Sequence, residues 1–226
     1  MQQPTRISPP VSAFSPVVRA LLIANGAVFA LHAFSGDPSL IAYFALWPLD
    51  SSAVLNTPSG IVRLPGFIPW QLVTYGFLHA SLSHLFFNMF ALWMFGTNIE
   101  RAIGSRRFAA YYFVCIVGAA LVQLLVLSPL VQGEPITPHP TVGASGGVFG
   151  ILLAFGMLFP EQRILLLIPP IPIKAKWFVL GYGVIELWFG VTGAATGVAH
   201  FAHLGGMLFG FLLLQYWRGR FPFHSR

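Results

Sequence analysis

Two short stretches of the sequence carry residues that could perform nucleophilic chemistry. One reads Thr141-Val-Gly-Ala-Ser-Gly-Gly-Val-Phe-Gly150, and the other reads His200-Phe-Ala-His-Leu-Gly-Gly206. A serine hydroxyl is a weak nucleophile until a base removes its proton, and a neutral imidazole suits that task near neutral pH. Ser145 and a histidine of the second stretch are therefore a candidate nucleophile and base.

The glycines in both stretches indicate how they could meet. Gly206 and Gly210 form a small-xxx-small face, a pattern that lets membrane helices approach closely. Its simplest partner is the segment in which Gly143 and Gly146 flank Ser145, and that contact would bring a histidine beside the hydroxyl. A packing face of small residues without chemistry also explains the glycines, and this segment alone does not decide between the two interpretations.

Two histidines compete for the role of base. His200 and His203 lie about one helical turn apart, on nearly the same face. At 1.5 Å rise per residue, Ser145 lies roughly 5–8 Å and His203 roughly 8–10 Å from the outer ends of their helices, so their depths agree. His200 can instead be a core histidine hydrogen-bonded at the water boundary. The spacing does not choose between them.

Carboxylates are scarce around these residues. No Asp or Glu is near either stretch in sequence, so a Ser–His dyad fits the pattern better than a triad. Glu186 falls near mid-depth when counted from Lys176, which is too deep to orient His203. We therefore interpret Glu186 as structural, although a carboxylate inside a membrane helix is by default a candidate for function.

A third polar stretch, His79-Ala-Ser-Leu-Ser-His-Leu-Phe-Phe-Asn88, opens another predicted helix. His84 and Asn88 are four residues apart and share one helix face. Both donate hydrogen bonds, which the oxyanion of an acyl-transfer intermediate requires. The alternative is a polar pair that holds helices together or binds water.

Metal binding is another interpretation of the histidines in these stretches. Zinc sites usually combine His with Cys, Asp or Glu, or support it with carboxylates, and these partners are missing near His79, His84, His200 and His203. We expect no metal and no other cofactor.

The composition indicates which elements position these residues. Of the 226 residues, 56% are hydrophobic and 8% are charged, against roughly 25% charged in a soluble domain. Much of the exterior therefore faces lipid, and an ordinary soluble protein is excluded. A helical span needs about 20 apolar residues. The predicted fold is all-α, a polytopic membrane protein with six transmembrane helices at about Val17–Phe34, Leu82–Ile99, Phe108–Leu127, Val142–Phe159, Lys176–Gly190 and Val198–Trp217.

The distribution of charge orients these spans. Lys and Arg accumulate in cytoplasmic loops, and with the N-terminus inside, the inner segments hold 11 of the 12 basic residues. We expect cytoplasmic tails at 1–16 and 218–226, a helical domain over 17–217, and an outer connection at about 35–81 in the membrane interface. The cations lie at span ends and not in one patch, so no nucleic-acid partner is expected.

Together, three motifs resemble those of the rhomboid intramembrane serine proteases. They are Gly143-Ala-Ser-Gly146, Ala202-His-Leu-Gly-Gly206 and His84-x-x-x-Asn88. The similarity covers about Pro69 to Gly210, including a Glu100-Arg101 pair and Gly104. The resemblance implies a six-helix bundle with a water-filled cavity open to the outside. It also implies cleavage of transmembrane segments of other proteins in or near the bilayer.

The family pattern also assigns roles. Its nucleophile falls on Ser145 and its general base on His203, because the Ala-His-x-x-Gly frame fits at Ala202 and fails at His200. The resemblance implies that the oxyanion is stabilised by His84, Asn88 and the backbone N–H of Ser145, with Gly143, Gly146 and Gly206 in support. One position departs from the pattern: the outer loop often carries Trp-Arg and here reads Trp70-Gln71, so its anchoring is expected to differ.

The predicted function is therefore that of a serine endopeptidase whose partners are transmembrane protein substrates and the lipid bilayer. The alternative is a catalytically inactive rhomboid-like protein that binds or escorts membrane proteins. A small-molecule or proton transporter is a third hypothesis, motivated by Glu186 and the histidines, but the sequence has no inverted repeat to support it. The predicted location is a prokaryotic plasma (inner) membrane, since there is no organelle-targeting extension, and the first helix is predicted to be uncleaved.

Overall fold

The structure is a computed structural model that describes residues 15–49, 54–57, 60–63, 66–128, 139–166, 170–193 and 197–219. The predicted tails at 1–16 and 218–226 lie almost wholly outside this part of the chain. Within it, helices occupy all six ranges that the sequence predicts as helical. The α-helices are α1 (Pro16–Ser35), α2 (Ser39–Phe44), α3 (Gln71–Thr74), α4 (Leu82–Ala91), α5 (Thr97–Ile103), α6 (Ser105–Val126), α7 (Ser145–Leu158), α8 (Ala175–Thr192) and α9 (His200–Trp217).

Several elements were not predicted. A π-helical segment, Leu92–Gly96, joins α4 to α5 so that the second helical rod runs on to Ile103, and a 3₁₀ turn covers Tyr75–Phe77. The expected all-α class is mostly helical but includes two antiparallel hairpins. They pair β1 (Val54–Thr57) with β2 (Gly60–Arg63) and β3 (Arg163–Leu165) with β4 (Pro172–Lys174).

The six helical ranges differ in length. Among the described residues, α1 and α6 are long and apolar enough to cross a membrane by themselves. Helix α7 is apolar but has only 14 residues, because it begins at Ser145 and not at the predicted Val142. Large apolar side chains of α8 point outward, including Trp177, Leu180, Val184 and Trp188. An exposed apolar surface of this kind suits contact with lipid.

Helix α6 lies at the centre and packs against α7 and α9. The packing is close because small residues face large ones: the Gly118 backbone lies against the Phe209 ring, and Gly205 lies on Ala119. Buried tyrosines tie the layers together. The Tyr111 hydroxyl donates to the Gly150 carbonyl at 2.7 Å, joining α6 to α7.

A buried carboxylate anchors the start of α1. The Glu100 carboxylate accepts the backbone N–H groups of Val17 and Val18 at 3.0 and 2.9 Å, so it caps α1 from another helix. It also accepts the Ser105 hydroxyl at 2.6 Å. On a buried carboxylate these bonds fix α1 against the turn between α5 and α6.

The segment predicted to form the outer loop is anchored by Gln71, the residue that departs from the Trp-Arg pattern. Its buried side chain accepts the N–H of Trp47 at 3.2 Å and donates to the carbonyls of Tyr43 and Gly66 at 3.3 and 3.1 Å. The neighbouring Trp70 indole donates to the same Tyr43 carbonyl at 2.9 Å. A neutral amide, both donor and acceptor, thus ties three parts of the loop together.

The loop between α7 and α8 carries a charged cluster. Lys174 lies 2.7 Å from the exposed Glu161 carboxylate, and Lys176 also bonds it. Hydrogen bonds from Lys174 and Lys176 lower the pKa of the Glu161 carboxyl to about 2, so this group is ionised at neutral pH.

Candidate active site

Helix α7 begins at the candidate nucleophile. Gly143 has φ +129°, a conformation that side-chain-bearing residues rarely adopt, and its N–H donates to the Tyr75 carbonyl at 3.0 Å. The chain therefore turns sharply before entering the helix at Ser145. The first N–H groups of a helix have no partner within it, so this end presents donors and the positive end of the helix dipole.

The structure brings Ser145 and His203 together. The Ser145 Oγ lies 2.8 Å from Nε2 of His203, which is the fourth residue of α9. The two helices can approach this closely because Gly206 of α9 rests on the backbone of Gly146. A hydroxyl and an imidazole at hydrogen-bond distance meet the geometric requirement for a nucleophile and its base.

A carboxylate lies on the other side of the base. Glu186 Oε2 is 2.8 Å from His203 Nδ1, so the expectation that Glu186 lies too deep to orient His203 is wrong. That expectation counted depth from the inner end of a short predicted helix. Counted instead from the end of α8 at Thr192, Glu186 is only about 9 Å along the helix, close to the distance expected for His203 along its own helix.

His200 shares the same carboxylate. Its Nδ1 lies 2.7 Å from Glu186 Oε2, so one oxygen receives both imidazoles. All three side chains are buried. His203 bonds both Ser145 and the Glu186 carboxylate, whereas His200 bonds the carboxylate.

An aromatic ring holds the plane of the base. The Phe149 ring stacks on His203 with centroids 4.2 Å apart and an interplanar angle of 6°. Phe149 is one turn beyond Ser145 on α7, so the nucleophile and the stacking ring come from the same helix face. Stacking restricts rotation of the imidazole while its two nitrogens face Ser145 and Glu186.

His84 lies at the same site, and Asn88 is one turn farther along α4. A side chain on Gly143 would lie 2.8 Å from His84 Nε2 and 3.7 Å from Ser145 Oγ, so the glycine leaves room for the imidazole beside the nucleophile. The half-buried His84 is backed by the buried His79 ring, with centroids 5.0 Å apart. Asn88 is buried, and its amide donates one hydrogen bond to the His84 carbonyl at 2.9 Å.

Glu186, His200 and His203 also form a set of possible metal ligands, whose ligand atoms lie within 4.8 Å of one another. Their hydrogen bonds match a different arrangement, in which both Nδ1 atoms point at one carboxylate oxygen. A metal would need the lone pairs of these nitrogens, whereas a carboxylate needs their protons. The geometry therefore fits a hydrogen-bonded cluster. The expectation that the site uses no metal stays a prediction.

One feature of the sequence does indicate that Glu186 has a partner. A charged residue within an apolar helix must be paired, and the candidates for partners were histidines. Glu186 and the α9 histidines are 14 and 17 residues apart in sequence but face each other, because α8 and α9 are joined by a short connection.

Comparisons with known proteins identify the family of the chain. The rhomboid domain profile matches residues 68–220. Rhomboid protein 1, mitochondrial, of Saccharomyces cerevisiae is 33% identical over 145 residues, and the rhomboid protease GluP of Bacillus subtilis is 32% identical over 149 residues; each match covers 63% of this chain. The rhomboid protease GlpG of Yersinia pestis is 25% identical over 211 residues, or 91% of this chain.

The matched regions span 40%, 25% and 63% of the lengths of these three relatives, in that order. The profile nevertheless covers more than half of this chain and includes the segments that carry Ser145, Glu186 and His203. The predicted family is confirmed: the chain belongs to the rhomboid family of integral membrane proteins.

Proposed function

We propose that the protein is an intramembrane serine endopeptidase that cleaves transmembrane segments of other membrane proteins. The observation that carries this proposal is the 2.8 Å contact between Ser145 Oγ and His203 Nε2 at the start of α7. An inactive rhomboid-like protein would have no need for this contact. The names of the relatives as rhomboid proteases support the same reaction.

In the proposed acylation step, His203 Nε2 takes the proton of Ser145 as Oγ attacks the scissile carbonyl carbon. The resulting oxyanion receives hydrogen bonds from His84, Asn88 and the backbone N–H of Ser145. His203 then gives its proton to the leaving nitrogen, the C–N bond breaks, and the substrate's N-terminal part remains as an ester on Ser145.

In the proposed deacylation step, water attacks the carbonyl carbon of the ester while His203 takes a proton from the water. The bond to Oγ breaks, and the proton returns to Ser145, which restores the starting state. No cofactor takes part. A substrate helix shields its carbonyls in its own hydrogen bonds, so it must unwind locally, and helix-destabilising residues near the scissile bond should favour cleavage.

We also propose that six helices cross the membrane, with both chain ends in the cytoplasm and the site opening to the outside. The six described helical ranges and the basic residues at the inner ends support this topology. The proposed location is a prokaryotic plasma membrane.

The test is cleavage of a single-span substrate by purified protein in liposomes. Ser145→Ala and His203→Ala should each lower the rate by about a thousandfold or more, because each removes a group that the reaction uses directly. His200→Ala should retain more activity than His203→Ala, since His203 bonds the Ser145 hydroxyl directly. A parent protein that cleaves nothing, or two site variants that cleave as well as the parent, would overturn the proposal.

A further inference from the structure

Glu186 is a buried carboxylate in a helix proposed to cross the membrane, with 6% of its surface exposed. An ionised side chain in such a place is costly unless its lone pairs are satisfied. Here one oxygen receives His200 at 2.7 Å and His203 at 2.8 Å, so two donors from α9 compensate the charge. The arrangement joins the carboxylate directly to the proposed base.

The contact with Glu186 determines which nitrogen of His203 carries the proton. An ionised carboxylate only accepts hydrogen bonds, so the His203 Nδ1 that faces Glu186 carries a proton. In a neutral imidazole the lone pair then lies on Nε2, the nitrogen that faces Ser145 Oγ at 2.8 Å. This is the tautomer that can accept the serine proton.

We propose that Glu186 is a positioning residue that acts through His203, and that His200 holds the same carboxylate oxygen in place. Glu186 fixes the Nδ1–H tautomer and stabilises the imidazolium after His203 has taken the proton of Ser145. The proton stays on His203 until it passes to the leaving nitrogen, so Glu186 itself is never protonated in the cycle. The inference rests on the proposed function and extends its Ser–His dyad to a Ser–His–Glu arrangement.

The first test is Glu186→Gln, which keeps the size and one acceptor oxygen but removes the charge. A charge-assisted hydrogen bond is about twice as strong as a neutral one, so kcat should fall about 10- to 100-fold while KM stays within about twofold. Glu161→Gln is the matched control, because Glu161 is an exposed carboxylate in the α7–α8 loop. It should leave both constants unchanged.

A second readout separates positioning from a structural role. A fluorophosphonate labels an activated serine without needing a transmembrane substrate to dock. Labelling of monodisperse, folded protein should slow by the same factor as kcat in Glu186→Gln. Glu186→Asp, which keeps the charge on a shorter side chain, should recover at least part of both rates.

The outcomes distinguish the two proposals. If the parent cleaves and labels but Glu186→Gln matches it, the positioning role is wrong and the proposed function stands. The positioning role is also wrong if the lost activity follows only a loss of folded protein, or if only KM changes. If the parent neither cleaves nor labels, the proposed function itself has failed.

Discussion

Gly206 controls the distance between the two helices that carry the proposed nucleophile and base. A Cβ placed on Gly206 would lie 1.9 Å from the carbonyl oxygen of Gly146, whereas real Cβ contacts are essentially never shorter than 3.0 Å. The contact is with backbone, so no side chain can turn away to relieve it. Gly206→Ala must therefore separate α7 from α9 by about 1.1 Å at this point.

That displacement is large compared with the geometry of the site. His203 lies one turn before Gly206, so its Nε2 would move from 2.8 Å to about 3.9 Å from Ser145 Oγ, beyond hydrogen-bond distance. A misplacement of about 1 Å can lower a rate about 100-fold. We therefore expect the kcat for cleavage to fall about 100-fold. The overpacking should also lower the free energy of unfolding by about 1–3 kcal/mol.

A graded series of glycine variants tests this reasoning in the liposome cleavage assay. Gly181→Ala is the matched control, because a Cβ there meets nothing within 4 Å, and it should cleave like the parent. Gly205→Ala should be intermediate, since its Cβ would lie 2.8 Å from the Val122 side chain and 3.0 Å from the Ala119 backbone. If Gly206→Ala cleaves as fast as Gly181→Ala, the close helix contact does not set the distance between Ser145 and His203.

Two further predictions concern the oxyanion donors and the outer loop. Asn88→Ala should lower kcat about 100-fold with little change in KM, because an oxyanion donor acts in the transition state; unchanged cleavage would remove Asn88 from the site. Gln71→Arg restores the common Trp-Arg pattern but should lower the melting temperature in detergent, because arginine cannot accept the Trp47 N–H and brings a charge into a buried position. A higher melting temperature would contradict the anchoring role of Gln71.

Helix ranges were predictable from the sequence because long apolar runs have few alternatives in a membrane protein. The ends of the helices were less predictable. Helix α7 begins at Ser145 because Gly143 adopts a positive φ, and a composition window cannot see a backbone angle. The two short hairpins have no strong period-2 pattern, so nothing in the sequence distinguished them from loops.

Spacing predicted that His84 and Asn88 share one helix face, and the glycines predicted that Ser145 meets a histidine of the last helix. The family resemblance, and not the spacing, selected His203 over His200. The prediction that Glu186 cannot reach His203 was wrong, because depth along one helix does not give the distance to a side chain on another helix. Helices α8 and α9 are consecutive, and the end of α8 lies near the start of α9. A carboxylate six residues before the end of α8 therefore reaches the first turn of α9. Contacts between helices depend on rotation about each axis, which the apolar pattern does not specify when a helix is apolar on most sides.

The length of α7 sets how deep the proposed site would lie if this helix crosses the membrane as proposed. Its 14 residues span about 21 Å, less than the roughly 30 Å of the hydrocarbon core. With its inner end at the inner boundary, Ser145 would lie about 9 Å below the outer one, where the backbone turn at Gly143 replaces a further turn of helix. Non-helical backbone at that depth is tolerated only beside protein or a water-filled cavity. The Gly143 N–H meets this condition by bonding the Tyr75 carbonyl, while the proposed acyl-enzyme still needs water at Ser145 for hydrolysis.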